Sequence, residues 1–293
     1  MTTGERRPPC PDVGGGFGEF LRGLLAGIPW SERAEVDETV RLAAPRSGLL
    51  RIDNSNGRTR VVGENRSDIE VRLQKVARAE SEAAARRTAE AIRLATAETE
   101  AGLDLEIETP KRWNRRGSVN LELRVPRATR VEVQASNGKV SVEALRAAVR
   151  ARSSNGAVEI LDVEGEIEVQ SSNARVCCTG CSGRLLARSS NGKIEIADHR
   201  GAVDAATSNG LIHAALTELR GPVVLATSNG RIALELPESA DGDVDLRVDN
   251  GIIRNQRSLD RCTHSSGGRL AGTLGRGGVP IKLRTSNGSI SLR

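Results

Sequence analysis

VEVQASNGKVSVEALRAA (Val131–Ala148), VRARSSNGAVEILDVEGE (Val149–Glu166), IEVQSSNARVCCTGCSGR (Ile167–Arg184), LLARSSNGKIEIADHRGA (Leu185–Ala202) and VDAATSNG (Val203–Gly210) are consecutive stretches of one chain, cut every 18 residues. Set under one another, they align Asn137, Asn155, Asn173, Asn191 and Asn209, each followed by Gly except at Asn173-Ala174. The same Asn returns at Asn229 and Asn250 after slightly longer steps, and at the outlying Asn56 and Asn287. A fixed period of this length is the mark of stacked repeats.

The flanks keep the same register. Six and four residues before each Asn stand apolar pairs such as Val131/Val133, Ile167/Val169 and Val223/Leu225. Three and five residues after it stand Val140/Val142, Val158/Ile160 and Ile232/Leu234. Alternation on both sides predicts two short strands per period. Gly48, Gly165, Gly183, Gly201, Gly221 and Gly242 mark a second corner eight residues before the Asn. Each period then reads strand, Asn-Gly corner, strand, Gly corner.

Consecutive hairpins would not need like residues to meet. A solenoid stacks them at about 4.8 Å, where identical side chains form ladders. The expected fold is therefore all-β, a parallel β-solenoid with two short strands per ~18-residue coil. The Asn residues (Asn137, Asn155, Asn173, Asn191, Asn209, Asn229, Asn250 and Asn287) are expected at inward-facing bends, as an internal amide ladder. Glu132, Arg150 and Glu168, five residues before successive Asn, would alternate in sign across the outer face. The left-handed hexapeptide helix of acyltransferases is the competing coil, but the apolar offsets follow no six-residue rule.

Outside the regular coils (127–293) the organisation changes. Residues 1–40 form an N-terminal segment in which Phe17, Phe20, Leu21, Leu24, Leu25 and Ile28 make an amphipathic stripe. That short helix is assigned to capping a solenoid end, ahead of membrane contact or partner docking. The repeat domain spans 41–293, with a first coil at Asn56 and an irregular insertion at 64–126. In the insertion, Glu80–Ala91 is expected to be a short helix and Ile92–Ile107 a hairpin, with a further strand at Asn120–Val125. Arg254–Gly278 is expected to be a Ser/Gly-rich loop, and Ile281–Arg293 a final coil.

Composition removes several functional classes. The chain has 293 residues, 43 Lys plus Arg against 38 Asp plus Glu, and only four aromatics, Phe17, Phe20, Trp30 and Trp113. Without stacking platforms, single-stranded nucleic-acid binding falls away. A net charge of +5 spread through a chain that is 28% charged suits solubility more than a dedicated polyanion surface. No apolar run approaches the roughly 20 residues of a membrane span, and no signal peptide is read at the start. Five Cys fit a reducing, cytoplasmic setting better than a disulfide framework.

Cys177, Cys178 and Cys181 are the candidates for a metal site, but the repeat register turns them to different faces, which suits tetrahedral zinc poorly. Lys111, Arg112, Arg115 and Arg116 form the densest basic cluster, a solvated hairpin tip or a contact for phosphate and lipid headgroups. His199, His213 and His264 lack a partner pattern, so neither catalytic residues nor a cofactor are expected.

LLRIDNSNGRTRVVG (Leu49–Gly63), DIEVRLQKVARAESEAA (Asp68–Ala84), LELRVPRATRVEVQASNGKVSV (Leu121–Val142) and GTLGRGGVPIKLRTSNGSISL (Gly272–Leu292), in this order, resemble the bacterial putative-adhesin family of β-strand-repeat proteins, a domain of unknown function. The resemblance implies an all-β repeat domain without established catalytic residues, in a family often exported or membrane-tethered. The function expected is a non-enzymatic structural or interaction module facing a protein or surface partner. Self-association into a scaffold or filament is the alternative.

Overall fold

The structure, a computed structural model, describes residues 32–109, 117–265 and 268–293. The helix expected at Phe17–Ile28 and the Lys111, Arg112, Arg115 and Arg116 cluster lie outside these residues. The front of the chain supplies β1 (Glu32–Ala43), β2 (Leu49–Asn56), β3 (Thr59–Glu64), β4 (Asp68–Ala79), helix α1 (Glu82–Ala91), β5 (Arg93–Glu98), β6 (Leu103–Glu108) and β7 (Gly117–Pro126). The repeats follow as β8 (Arg130–Asn137), β9 (Val140–Glu143), β10 (Val149–Ser153), β11 (Val158–Leu161), β12 (Glu164–Ser171), β13 (Val176–Thr179), β14 (Ser182–Ser189), β15 (Ile194–Asn209), β16 (Ile212–Glu218) and β17 (Val223–Glu235). The chain closes with β18 (Gly242–Asn255), β19 (Asp260–Ser265), β20 (Arg269–Leu274) and β21 (Pro280–Leu292).

The coils stack as two parallel ladders, one on each side of the Asn corner. Strands before the Asn pair in the order β2, β8, β10, β12, β14, β15, β17, β21, β18. Strands after it pair in the order β3, β9, β11, β13, β15, β16, β17, β21, β18. Two ladders per coil exclude the three-faced hexapeptide helix. Val131, Val149, Ile167, Leu185 and Val203 lie in one row across the strands, all almost fully buried. Val140, Val158, Val176, Ile194 and Ile212 face them from the second ladder. Each such side chain contributes about 1.5–3 kcal/mol of burial, so the thin aliphatic interior is driven coil by coil.

Antiparallel strands occur beyond the ends of these ladders. On the second ladder β7 joins β3 in parallel, then β4 and β1 add antiparallel. On the first, β6 joins β2 and β5 folds back on it as the expected hairpin, with Leu94 opposite Ile107. Helix α1 is capped by Ser81, whose hydroxyl accepts from the Ala84 N–H, and it packs Ala85 and Ala89 against β1 and β4. An inserted helix therefore covers this end. β1 also crosses the domain boundary expected at residue 40, pairing along its whole length with β4.

Two expectations at the other end need correction. Arg254–Gly278 is not a loop throughout: β19 and β20 form an antiparallel hairpin on the outer edge of β18. Nor is Ile281–Arg293 the outermost coil. β21 inserts between β17 and β18, pairing with both. The reason lies in the inward set. β21 buries Ile281, Leu283, Ile290 and Leu292, whereas β18 beyond its corner turns Ile252 outward and keeps Ile253 only half-buried. The coil better furnished for burial on both sides takes the inner position.

Candidate interaction surfaces

The Asn corner forms an uninterrupted amide ladder. Nδ2 of Asn137 donates to Oδ1 of Asn56 at 3.1 Å, and the chain of bonds continues through Asn155, Asn173, Asn191, Asn209, Asn229, Asn287 and Asn250 at 2.8–3.1 Å. The ladder is not internal. From Asn137 onward every member is exposed, on the outer edge of the solenoid.

The inward polar column is made instead by hydroxyls two residues earlier. Ser153, Ser171, Thr207, Thr227 and Thr285 are buried there. The Ser153 hydroxyl accepts from the Gly156 N–H at 3.0 Å, while those of Thr207, Thr227 and Thr285 donate to carbonyls of Gly192, Gly210 and Gly230 at 3.2 Å. Short hydroxyls satisfy the turning backbone from inside, which leaves the Asn amides to pair outside. The corner also needs a residue without a side chain. A Cβ on Gly156 would lie 1.6 Å from the Gly138 carbonyl oxygen of the coil beneath.

On the first ladder's outer face, the expected alternation of charge is present and longer than expected. Arg51 bridges Asp104 at 3.3 Å and Glu132 at 3.2 Å, and Arg150 bridges Glu132 at 3.7 Å and Glu168 at 2.8 Å. Arg152 and Arg150 together hold the Glu168 carboxyl below the usual carboxylate range. These pairs are solvent-accessible and screened by salt, so they order the outer face more than they stabilise it. Towards β21 the same face changes to small and apolar groups, with Leu186, Ala206, Val224 and Ala226 half-buried between Arg188 and Arg284.

The second ladder's outer face starts in balance. Glu159 takes Lys139 at 2.6 Å and Arg175 at 3.5 Å, and Glu195 takes Lys193 and Arg175. Lys193 holds the Glu195 carboxyl below its ordinary range. Further along, at β17, β21 and β18, cations outnumber carboxylates around a depression of about 400 Å³ lined by Lys193, His213, Arg231, Arg254 and Arg293.

The sequence-derived chemical candidates separate from one another. Cys178 and Cys181 are buried and Cys177 is half-buried on the outer side; all three are free thiols. Burial pushes the Cys178 and Cys181 thiols up, which keeps them protonated as small core side chains. Among the described residues, no group of three or more His, Cys, Asp or Glu side chains is placed to hold a metal ion. His213 faces outward, 3.4 Å from Glu235. His199 is fully buried, in the corner column of Leu145, Val163 and Cys181. Neither of its ring nitrogens has a hydrogen-bond partner, and burial pushes its pKa down. The inward hydroxyl column and the basin were both missed in sequence. The Ser/Thr signal was present two residues before the Asn, but the basin joins residues from five coils and the chain order of those coils gives no hint of it.

No helix among the described residues is long and apolar enough to cross a membrane. The family model of the Toastrack domain, DUF4097, matches residues 49–293. Among solved structures, the chain is similar to a putative adhesin from Bacteroides fragilis (14% identity, 91% of this chain and 100% of that one, TM-score 0.42). It is also similar to a putative cell adhesion protein from Clostridium sporogenes (10% identity, 89% and 99%, TM-score 0.33). No curated protein matches it.

Proposed function

The chain belongs to the Toastrack family, and we propose that it is a non-enzymatic structural and interaction module that presents flat strand faces to a protein or surface partner. The observation that carries this reading is the row-by-row register of outward side chains across the parallel ladders. It places charged, hydroxyl and small residues on fixed grids about 4.8 Å apart. The lowered carboxyls of Glu168 and Glu195 are ion-paired on those grids, and the raised thiols of Cys178 and Cys181 are core. Cys178 and Cys181 serve as buried, protonated core side chains, a use that fits a reducing, cytoplasmic compartment, which cell fractionation tests.

Photo-cross-linkers placed at Ala206 or Ala226 on one face, at Ala233 on the other, and at Glu98 near one end test the module reading in native cells. A partner captured from one face alone is expected. Labelling spread evenly over both faces and the end would overturn it.

A second reading, end-to-end self-association, is favoured by one observation. Beyond the Asn corner β18 is, among the described residues, the last strand of its ladder, and it carries Ile252 at 58% exposure. Open strand edges template pairing, and an edge lysine blocks it. Sedimentation velocity should then show concentration-dependent assembly that Ile252→Lys abolishes; a monomer at all concentrations removes this reading.

A further inference from the structure

The depression on the second ladder's outer face is built differently from the rest of that face. Its floor consists of short side chains, Ala233 on β17 and Ser289 and Ser291 on β21. Arg231 stands directly across from Ser289, and Arg254 directly across from Ser291 from the opposite side. The two arginines thus rise at diagonal corners of the patch, from strands two spacings apart, with Ala233 and the exposed Ile252 at the other two corners. Strand geometry sets their backbones roughly 12 Å from each other, within reach of two extended arginine side chains.

The charges around this patch are unequal in kind. Lys193 is paired with Glu195, and His213 and Arg293 both lean on Glu235, at 3.4 and 3.5 Å. Arg231 and Arg254 are exposed and have no carboxylate or carbonyl partner among the described residues. Elsewhere on the same face Glu159 and Glu195 absorb the neighbouring cations. Here the acids are already engaged, so two guanidinium forks remain over a floor that supplies two hydroxyls.

We propose that this basin binds a phosphate or sulfate ester group carried on the module's partner, held between Arg231 and Arg254 and hydrogen-bonded by Ser289 and Ser291. The proposal rests on the interaction-module reading and names the ligand chemistry of one of its faces. A tetrahedral oxyanion has enough oxygens to satisfy two forks approaching from different strands, whereas one fork occupies both oxygens of a planar carboxylate. The scarcity of aromatic side chains in the chain directs recognition to the charged group rather than to a stacked sugar or base.

The test compares the whole chain with Arg231→Ser/Arg254→Ser and with a control of equal charge loss at the far end, Arg78→Ser/Arg87→Ser, whose side chains are exposed. Probes are dextran sulfate and sodium sulfate by calorimetry, with neutral dextran as blank, and phosphatidylglycerol vesicles by co-sedimentation. The native chain should bind at least one charged probe, and the basin variant should bind it at least about tenfold more weakly, with less than about a twofold change in the control. Vesicle binding alone assigns the ester to a lipid headgroup, and dextran sulfate binding assigns it to a polymer. Equal losses in the two variants, an unaffected basin variant, or no binding to any probe would overturn the proposal. All four residues are exposed, so matched thermal melts verify folding. Face-restricted cross-linking that persists in the basin variant would separate failure of this site from failure of the module reading.

Discussion

Replacing His199 with Leu should stabilise the protein and remove part of its sensitivity to acid. His199 occupies a column whose other members are Leu145, Val163 and Cys181, with backbone bonds from Glu164, Ser182 and Arg200 stacking the corners in sequence. The imidazole is fully buried and its two nitrogens are without hydrogen-bond partners, although backbone groups of Ala202, Gly183 and Cys181 lie near enough to favour the charged form slightly. A buried polar group left unsatisfied costs about 1–3 kcal/mol. Leu is similar in size and repeats the Leu145 solution, so His199→Leu should gain roughly 1–3 kcal/mol at pH 8. The pH dependence has a definite sign. Burial lowers the folded-state pKa below the ordinary 6.5, so the unfolded chain takes up the proton first. The native protein is then fully stable above about pH 6.5 and loses up to about 1.4 kcal/mol per pH unit as pH falls towards the folded value. Urea titrations at pH 8, 6 and 5 would measure both effects. Parallel pH profiles for the two proteins between 6.5 and 5, or a less stable variant at pH 8, would refute the argument.

Asn173→Ala removes one donated and one accepted ladder bond, and should cost about 1–2 kcal/mol in urea unfolding, roughly twice the effect of Asn250→Ala at the ladder's end; equal costs would show that the bonds do not act as a chain of like links. Gly183→Ala should cost more than about 3 kcal/mol, because its φ is +112° and a Cβ would meet the Gly165 carbonyl oxygen at 2.2 Å. Gly278, at φ +101° with nothing within 4 Å, tests the backbone part alone, and its Ala variant should lose only about 1–2 kcal/mol by thermal melting. Arg257→Ala should speed amide exchange in residues 236–241, since that guanidinium holds the carbonyls of Leu236, Pro237 and Glu238 at 3.0–3.1 Å; unchanged exchange would show the turn to be self-supporting.

Stacking explains what could be read in the sequence. Because each inward position must fit the same position one coil away, Val131, Val149, Ile167 and Leu185 share a row at constant spacing, and strand pairing follows from the spacing alone. Glu132, Arg150 and Glu168 were legible for the same reason. Parity failed at the corner. Ser153 is buried but Ser154 and Asn155 are both exposed, so the backbone leaves the alternating pattern there and the inward member is the hydroxyl. β1 was missed because ERAEVDETVRLA alternates weakly and its partner β4 begins only after a connection from Ala43 to Asp68 that carries a whole coil. The candidate basin was illegible because Arg231, Arg254 and Ser289 converge only once β21 is seated between β17 and β18.

That seating separates what a local repeat specifies from what the whole chain specifies. Asn250-Gly251 and Asn287-Gly288 are equivalent corners, and either would fit beside Asn229. The choice is made by the flanking strands: Ile290 and Leu292 are both buried after Asn287, while the positions opposite them on the last strand hold Ile253 and the polar Asn255, both only half-buried. A coil with two complete inward strands gains from neighbours on both sides, and a coil with one weaker strand loses least at the end, where its first half can still be covered by β20. Position along the stack is thus set by how much apolar surface each coil has to bury, and chain order yields to it wherever the connecting hairpin, here β19–β20, is long enough to let the chain return.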